Sequence, residues 1–488
     1  MRESVTYSTE NGNFYLYDAQ HMFPVLIHPE LCKVYEKATK TDPYYFKKYG
    51  YLTEHGFGGR SKPVIFETTL NESQVKAKII QTPKVVFEVT DHCNLNCRYC
   101  TFGDLYKFNE KKKERKRNIN THYAINLLKY IFDLKLKNKQ RKLAIGFFGG
   151  EPLVNIHFIR QIVETSLQLN TGKELELVFF MTTNATLIHK HIHFLVENNF
   201  RLLISLDGNE EAHSYRTLAI NNKNSFRQVI DNIDMIQREF PEYFADRVRF
   251  NAVLHNRNSV KNIYEFVYNR YRKYPKITQL NTNDINPDKK DIFERMFLDQ
   301  RKNEEEYQED VSDLIPGTRE KLISYEELRL FLKNHSINLY ILDLRYLMYQ
   351  TVKFYPTDTC MPFDKKIFLT TRHNLFPCEN VRREYSFGKV NQSVLIDFHQ
   401  ITRKFNFYYE HFKKICQYCY ASESCGICLL KIANLDNLNT EGDIVCPGFR
   451  NQEAFKNELN RMLSFLENEP NIFFQITDNV IKKVQFYE

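Results

Sequence analysis

The sequence lacks any apolar run approaching the roughly 20 residues that cross a bilayer, and its start, "MRESVTYSTENGNFYLYDAQ", lacks the apolar core of a signal peptide. A soluble, cytoplasmic protein with no membrane partner is therefore expected. No internal repeat is evident. Charge of one sign is only mildly in excess, +8 over 488 residues. Such an excess fits an acidic partner, but nucleic-acid binders usually concentrate theirs on one element, and no nucleic-acid partner is expected. In a reducing compartment disulfides are rare, so the eleven cysteines are better metal ligands or catalytic groups than cross-links.

What is present is enough for a packed globular chain: 42% hydrophobic and 14% aromatic residues, over a length too great for one ordinary core. The cysteines are grouped. Cys93, Cys97 and Cys100 stand together, then Cys360 and Cys378, then Cys416, Cys419, Cys425, Cys428 and Cys446. Cys32 stands alone and reads as a small buried hydrophobe.

From residue 84 strand-like runs alternate with helix-like segments. The strands are "KVVFEVT" (84–90), "KLAIGFF" (142–148), "LELVFFMTT" (175–183), "RLLISLD" (201–207), "RVRFNAVL" (247–254) and "KITQLNT" (276–282). Apolar residues at helical spacing lie between them, as in 122–136, 156–169 and 226–240. That alternation predicts βα units on a parallel sheet, an α/β class, and six units suit an open, partial barrel. Functional residues should then follow the carboxyl ends of strands.

The chain divides on this reading into five parts. Residues 1–83 form a small α+β domain with a strand at "NFYLYD" (13–18) and helices at 28–38 and 70–80. Residues 84–285 are the partial barrel, and 286–355, with the breaker "IPGT", a charged linker or helical connector. Residues 356–450 are cysteine-rich, and 451–488 hold an amphipathic helix and tail.

The stretch "VTDHCNLNCRYC" (89–100) follows the first strand and carries three cysteines in C-x3-C-x2-C. Structural zinc wants four ligands and a disulfide two. Three thiolates can hold three corners of an iron–sulfur cubane and leave the fourth for something outside the protein. With Tyr99 before the last cysteine, and with Gly149, Gly150, Glu151 and Pro152 in "FFGGEPLVN", the stretch resembles the radical S-adenosylmethionine (radical SAM) enzymes. The resemblance covers about residues 84–285. It implies a [4Fe–4S] cluster on Cys93, Cys97 and Cys100 whose open iron binds S-adenosylmethionine. One electron then cleaves that sulfonium to a 5′-deoxyadenosyl radical. It further implies that Glu151 accepts from the methionyl ammonium, that Asn184 and Ser205 belong to the cofactor site, that Arg216 pairs with the carboxylate, and that Tyr99 meets adenine.

The later cysteines resemble a SPASM domain, which carries two auxiliary [4Fe–4S] clusters. By order, Cys360, Cys378 and Cys428 would hold one, and Cys416, Cys419, Cys425 and Cys446 the other. The fourth position of the first is open, or goes to Asp364, Glu379 or substrate. The chain departs from that family in "CGIC", and in having His373 where glycine is usual. SPASM-containing radical enzymes act mostly on polypeptides. The resemblance thus implies a maturase that installs a thioether or carbon–carbon cross-link in a ribosomally made precursor peptide. Residues 1–83 would recognise the leader, with "NFYLYD" as the edge that takes an added strand. Glu379 is the candidate proton acceptor, and a flavodoxin or ferredoxin the electron donor. The lysine-rich stretch 107–117 is a solvated loop or an electrostatic landing site. An anaerobic sulfatase-maturating enzyme is the alternative within the class; a zinc-ribbon interaction protein is the alternative outside it, as is a non-enzymatic scaffold.

Overall fold

The computed structural model describes residues 2–37, 42–61, 63–107, 117–172, 174–282, 284–308, 322–332, 334–335, 354–357, 360–382, 385–432, 435 and 446–485. The breaker at 315–318 and the lysine-rich residues 108–116 lie outside them. Two compact units emerge: Met1–Leu70 with Ser324–Thr359 and Thr402–Glu488, and Asn71–Ile323 with Cys360–Ile401.

The first unit opens with three antiparallel strands, β1 (Val5–Ser8), β2 (Phe14–Asp18) and β3 (Phe23–Ile27), in the order β1-β2-β3. The run expected to be a free edge is β2, which is hydrogen-bonded to β1 on one side and to β3 on the other. Its backbone groups are spent, so it cannot accept an added strand; that expectation is corrected. The helix Pro29–Tyr35 follows, buries Cys32 as foreseen, and begins at His28, whose ring accepts from the Glu30 amide. The core of this unit joins Val5, Tyr17, Phe331, Phe455, Leu459 and Ile476.

The second unit holds β4 (Lys84–Thr90), β5 (Leu95–Cys97), β6 (Lys142–Gly149), β7 (Glu176–Thr183), β8 (Arg201–Ser205), β9 (Arg216–Leu218), β10 (Val248–Leu254), β11 (Lys276–Gln279), and four three-residue strands. These are β12 (Ile367–Leu369), β13 (Asn374–Phe376), β14 (Gly388–Val390) and β15 (Val394–Ile396). Ten strands form one sheet in the order β11-β10-β8-β7-β6-β4-β12-β13-β14-β15. Neighbours from β11 to β12 are parallel, and β12 to β15 antiparallel. The six expected strands belong to this parallel set, which β12 extends to seven, and are joined by helices such as Thr121–Lys137, Ile156–Leu169 and Phe226–Glu239. β4 sits among them with Val85, Phe87 and Val89 buried on one face and Val86 and Glu88 on the other, as a parallel strand covered on both faces requires.

One buried charge tests the packing. Lys135, 1% exposed on Thr121–Lys137, donates to the Ile80 carbonyl in the last turn of helix Glu72–Gln81. A cation at a helix carboxyl end is favourable, yet burial lowers the Lys135 ammonium to about 8. Below that value the lysine is charged both folded and unfolded, so the burial penalty is full. As pH rises from about 8 toward the ordinary lysine value the folded form sheds its charge and the penalty disappears. Relative to Lys135→Met, the wild type should gain about 1–2 kcal/mol of unfolding free energy between pH 7.5 and 10.5, after allowance for solvent screening of the ammonium. Urea melts at both pH values check this; parallel curves for the two proteins would count against it.

Candidate active site

The cysteine loop is pinned from two directions. After β4 the chain passes Cys93 and enters β5, which pairs antiparallel with β9 so that Cys97 faces Arg216 and Leu95 faces Leu218. The Arg98 amide donates to the Tyr215 carbonyl at 3.1 Å. On the other side the Gly149–Gly150–Glu151 turn leaves β6 and lies against the same loop. The Gly150 amide donates to the Thr90 carbonyl at 2.8 Å, and the Glu151 amide to that of His92 at 3.0 Å. Gly149 has φ +132°, and a Cβ on Gly150 would stand 2.2 Å from the His92 carbonyl oxygen. Only glycine permits that approach.

Cys93, Cys97, Cys100 and Gly150 line one cavity of about 1040 Å³, with Arg98, Tyr215, Asn256, Lys289 and Arg295 among the other walls. Burial pushes the Cys93 thiol up, with Glu151 adding to it, and pushes Cys97 up to about 12 against the pull of the Arg216 guanidinium. Buried thiols of this kind stay protonated unless a cation draws the proton off.

The other motif residues face inward. Glu151, 1% exposed, accepts from the Leu153 amide at 3.1 Å, the Thr183 hydroxyl at 2.7 Å and the Asn184 amide at 2.7 Å. Its carboxylate ties the end of β6 to the end of β7. Burial pushes that carboxyl up to about 7 even against these donors. The Asn184 side chain donates to Asn94 Oδ1 at 2.9 Å and lies 3.8 Å from the Cys93 sulfur. Ser205 closes β8, in register with Asn251 of β10. Arg216, expected to meet a cofactor carboxylate, forms a two-pronged pair with Asp207: Nε to Oδ2 at 2.9 Å and Nη2 to Oδ1 at 3.0 Å. Tyr99, expected to meet adenine, donates its hydroxyl to Asp207 and stacks on His255 with ring centroids 5.4 Å apart.

Asp207, which the motif "ISLDG" marks with Ser205 at the end of the fourth strand, has no role assigned by the resemblance, and His255 and Asn258 are marked by no motif. The rule of strand carboxyl ends points to them, since Asp207 follows β8 and "HNRN" (255–258) follows β10. Burial alone would raise the Asp207 carboxyl, but Arg216 and then His255 outweigh it and hold it well below the usual carboxylate range.

The later cysteines fall in both units. In the first unit burial pushes the Cys416 thiol up to about 12, with Cys425, Cys419 and Cys446 close enough to add to it, and burial likewise raises Cys446, with Cys425 and Cys419 beside it. The Arg450 amide points at the Cys419 sulfur at 3.4 Å. Cys428 belongs to the same unit, whereas Cys360 and Cys378 belong to the second. Beside Cys378, Glu379 receives both oxygens' hydrogen bonds from Lys366 Nζ at 2.8 Å, which holds its carboxyl down although burial opposes this. Asp364 is paired with Lys78 at 3.0 Å.

Among the described residues, no three His, Cys, Asp or Glu side chains converge as ligands of a single metal ion. A cubane assigns one iron to each thiolate and so holds its ligands farther apart than one ion does. Three soft sulfurs on one cavity wall, with a glycine turn leaving the space beside Cys93 clear of side chain, fit that larger group.

A model of the Radical SAM superfamily matches residues 87–267. A cysteine-type anaerobic sulfatase-maturating enzyme of Clostridium novyi is 33% identical over 156 residues, 32% of this chain and 40% of that protein. The radical SAM cyclopropyl synthase TigE of Paramaledivibacter caminithermalis is 26% identical over 179 residues, 36% of each. The chain thus spans about two fifths of the length of these curated relatives. The solved structure of native anSMEcpe with bound AdoMet superposes with a TM-score of 0.52 at 15% identity, covering 81% of this chain and 99% of that one. That is a likeness of fold.

Proposed function

With residues 87–267 forming a radical SAM domain, we propose that this chain is a peptide-modifying radical enzyme that cross-links a precursor peptide through a thioether or carbon–carbon bond. The observation that carries it is the cavity where Cys93, Cys97, Cys100 and Gly150 meet at the carboxyl ends of β4 and β6. When bound, the [4Fe–4S] cluster and S-adenosylmethionine supply a carbon radical able to take hydrogen from an unactivated carbon. The protein's residues do the rest: the paired turns hold the three sulfurs, and the cavity walls orient the reacting carbon and exclude water. Glu379, kept ionised by Lys366, is the group proposed to accept a proton. Cys416, Cys419, Cys425 and Cys446 of the first unit are proposed for one auxiliary cluster, and Cys360 and Cys378 of the second unit as ligands of another. A flavodoxin or ferredoxin is the proposed donor.

Residues 1–83 are proposed to hold the leader, with β3 taking the role first given to β2. β3 is a terminal strand of its sheet, with Leu26 61% exposed. The second helix after it, Pro43–Glu54, turns Tyr44, Phe46 and Tyr51 to solvent, while Tyr45 stacks on His28 just after β3. A strand added there would have apolar side chains to lie against. The likeness to sulfatase-maturating enzymes favours a second reading, oxidation of a cysteine or serine in a sulfatase.

The test uses full-length protein reconstituted without oxygen, reduced, and given S-adenosylmethionine with the short peptide encoded beside it. The expected result is 5′-deoxyadenosine together with a peptide lighter by two hydrogens. An aldehyde formed in a sulfatase-derived peptide, with the neighbouring peptide unchanged, would overturn the cross-linking reading.

A further inference from the structure

We propose that Asp207 is the positioning residue of the cysteine loop, fixing through Tyr99 and Arg216 where Cys97 and Cys100 present their sulfurs. The inference rests on reading that loop as the holder of a cluster. Asp207 is fully buried. Besides Tyr99 and both prongs of Arg216, its Oδ1 accepts the Val253 amide of β10 at 3.0 Å, and His255 Nε2 lies 3.7 Å from Oδ2. Asn258 in turn donates to the Asp207 carbonyl at 3.1 Å and to the Val253 carbonyl at 2.9 Å. The carboxylate is therefore held from behind, by its own place after β8 and by the Val253 amide of β10, while Tyr99 reaches it from the loop and Arg216 from β9.

Its two outward contacts are placed where they matter. Tyr99 sits between the second and third cysteines of the motif. Arg216 is directly opposite Cys97 in the β5–β9 pair, and its guanidinium lies 5.3 Å from the Tyr99 ring centre. One buried anion thus sets the loop from both sides of Cys97. Cys93 is set separately, by the glycine turn and Asn184. A short polar loop wrapped around an inorganic group has few contacts of its own, so its geometry comes from what surrounds it. Residues that orient ligands from behind typically matter about 10- to 100-fold in metal retention.

The test compares wild type, Tyr99→Phe, Asp207→Asn and Cys93/Cys97/Cys100→Ala, all reconstituted without oxygen. Iron per chain in wild type minus that in the triple cysteine variant defines the loop-bound share. Under a chelator, Tyr99→Phe and Asp207→Asn should release that share about 10-fold faster or more. Both should also alter the electron paramagnetic resonance change that S-adenosylmethionine produces. A packing variant away from the site, Ile131→Ala, should lower the melting temperature without speeding iron loss, which separates positioning from general stability. Tyr99→Phe removes a single hydroxyl and decides the matter if Asp207→Asn does not fold. Wild-type release rates and spectra in both variants would overturn the proposal. Equal iron in wild type and the triple cysteine variant would instead overturn the cluster reading beneath it.

Discussion

Alanine at Cys93, Cys97 and Cys100 together is expected to abolish 5′-deoxyadenosine formation and to remove about four irons per chain, leaving the fold intact by circular dichroism. Any one of the three substitutions should do nearly the same to the product, because a cubane with one protein ligand lost has two open corners instead of one. The three sulfurs share one cavity wall but approach it from separate stretches of chain: Cys93 from the loop after β4, Cys97 from the end of β5, Cys100 from the turn beyond. Alanine at Cys416, Cys419, Cys425 and Cys446 should lower iron by a similar amount and leave reductive cleavage of S-adenosylmethionine in place, since those four group in the other unit. A zinc-ribbon protein would behave differently, with zinc in place of iron and no product from any variant. Product from the triple variant would end the radical reading.

Much of this was legible in the sequence, and what was not has physical causes. Four of the six expected strands run seven or eight residues and are rich in apolar, β-branched and aromatic side chains, enough to stand out from their polar flanks. β12 to β15 are three residues each, too short for a periodic pattern, and β12 becomes part of the large sheet only by lying against β4. The grouping of β2 was legible but its place in the sheet was not. A strand's own pattern says which face is buried, whereas centre or edge depends on which neighbours pair with it. The motif residues show the same limit. The resemblance gave Tyr99 to adenine and Arg216 to the cofactor carboxylate, but both side chains turn to Asp207, a partner supplied by another strand end. His373 is the instructive departure. The SPASM resemblance marks a glycine there, and the structure gives this histidine φ +62° in the turn between β12 and β13. The left-handed backbone is kept even though the residue that adopts it most cheaply is not.

Gly150→Ala should slow the reaction sharply by displacing Cys93. An added Cβ would lie 2.2 Å from the His92 oxygen, 2.5 Å from its carbonyl carbon and 3.0 Å from the Cys93 amide nitrogen. All three are backbone atoms, so no side chain can swing aside. Relief requires the two turns to part by about 1 Å, which stretches the hydrogen bonds from Gly150 to Thr90 and from Glu151 to His92. Overpacking of this kind costs about 1–3 kcal/mol in stability, but the greater effect is on Cys93, which moves with the turn. A misplacement of that size near reacting groups lowers rates about 100-fold, so 5′-deoxyadenosine formation should fall by roughly that factor while most of the iron remains. Gly149→Ala meets the Thr90 oxygen at 2.3 Å and must also hold φ +132°, so its stability loss should exceed that of Gly150→Ala. Gly59→Ala is the control, since a Cβ there meets nothing within 4 Å. A Gly150→Ala enzyme with wild-type rate and melting temperature would mean that the glycine turn does not press on the cysteine loop, and the account of how Cys93 is held would have to be abandoned.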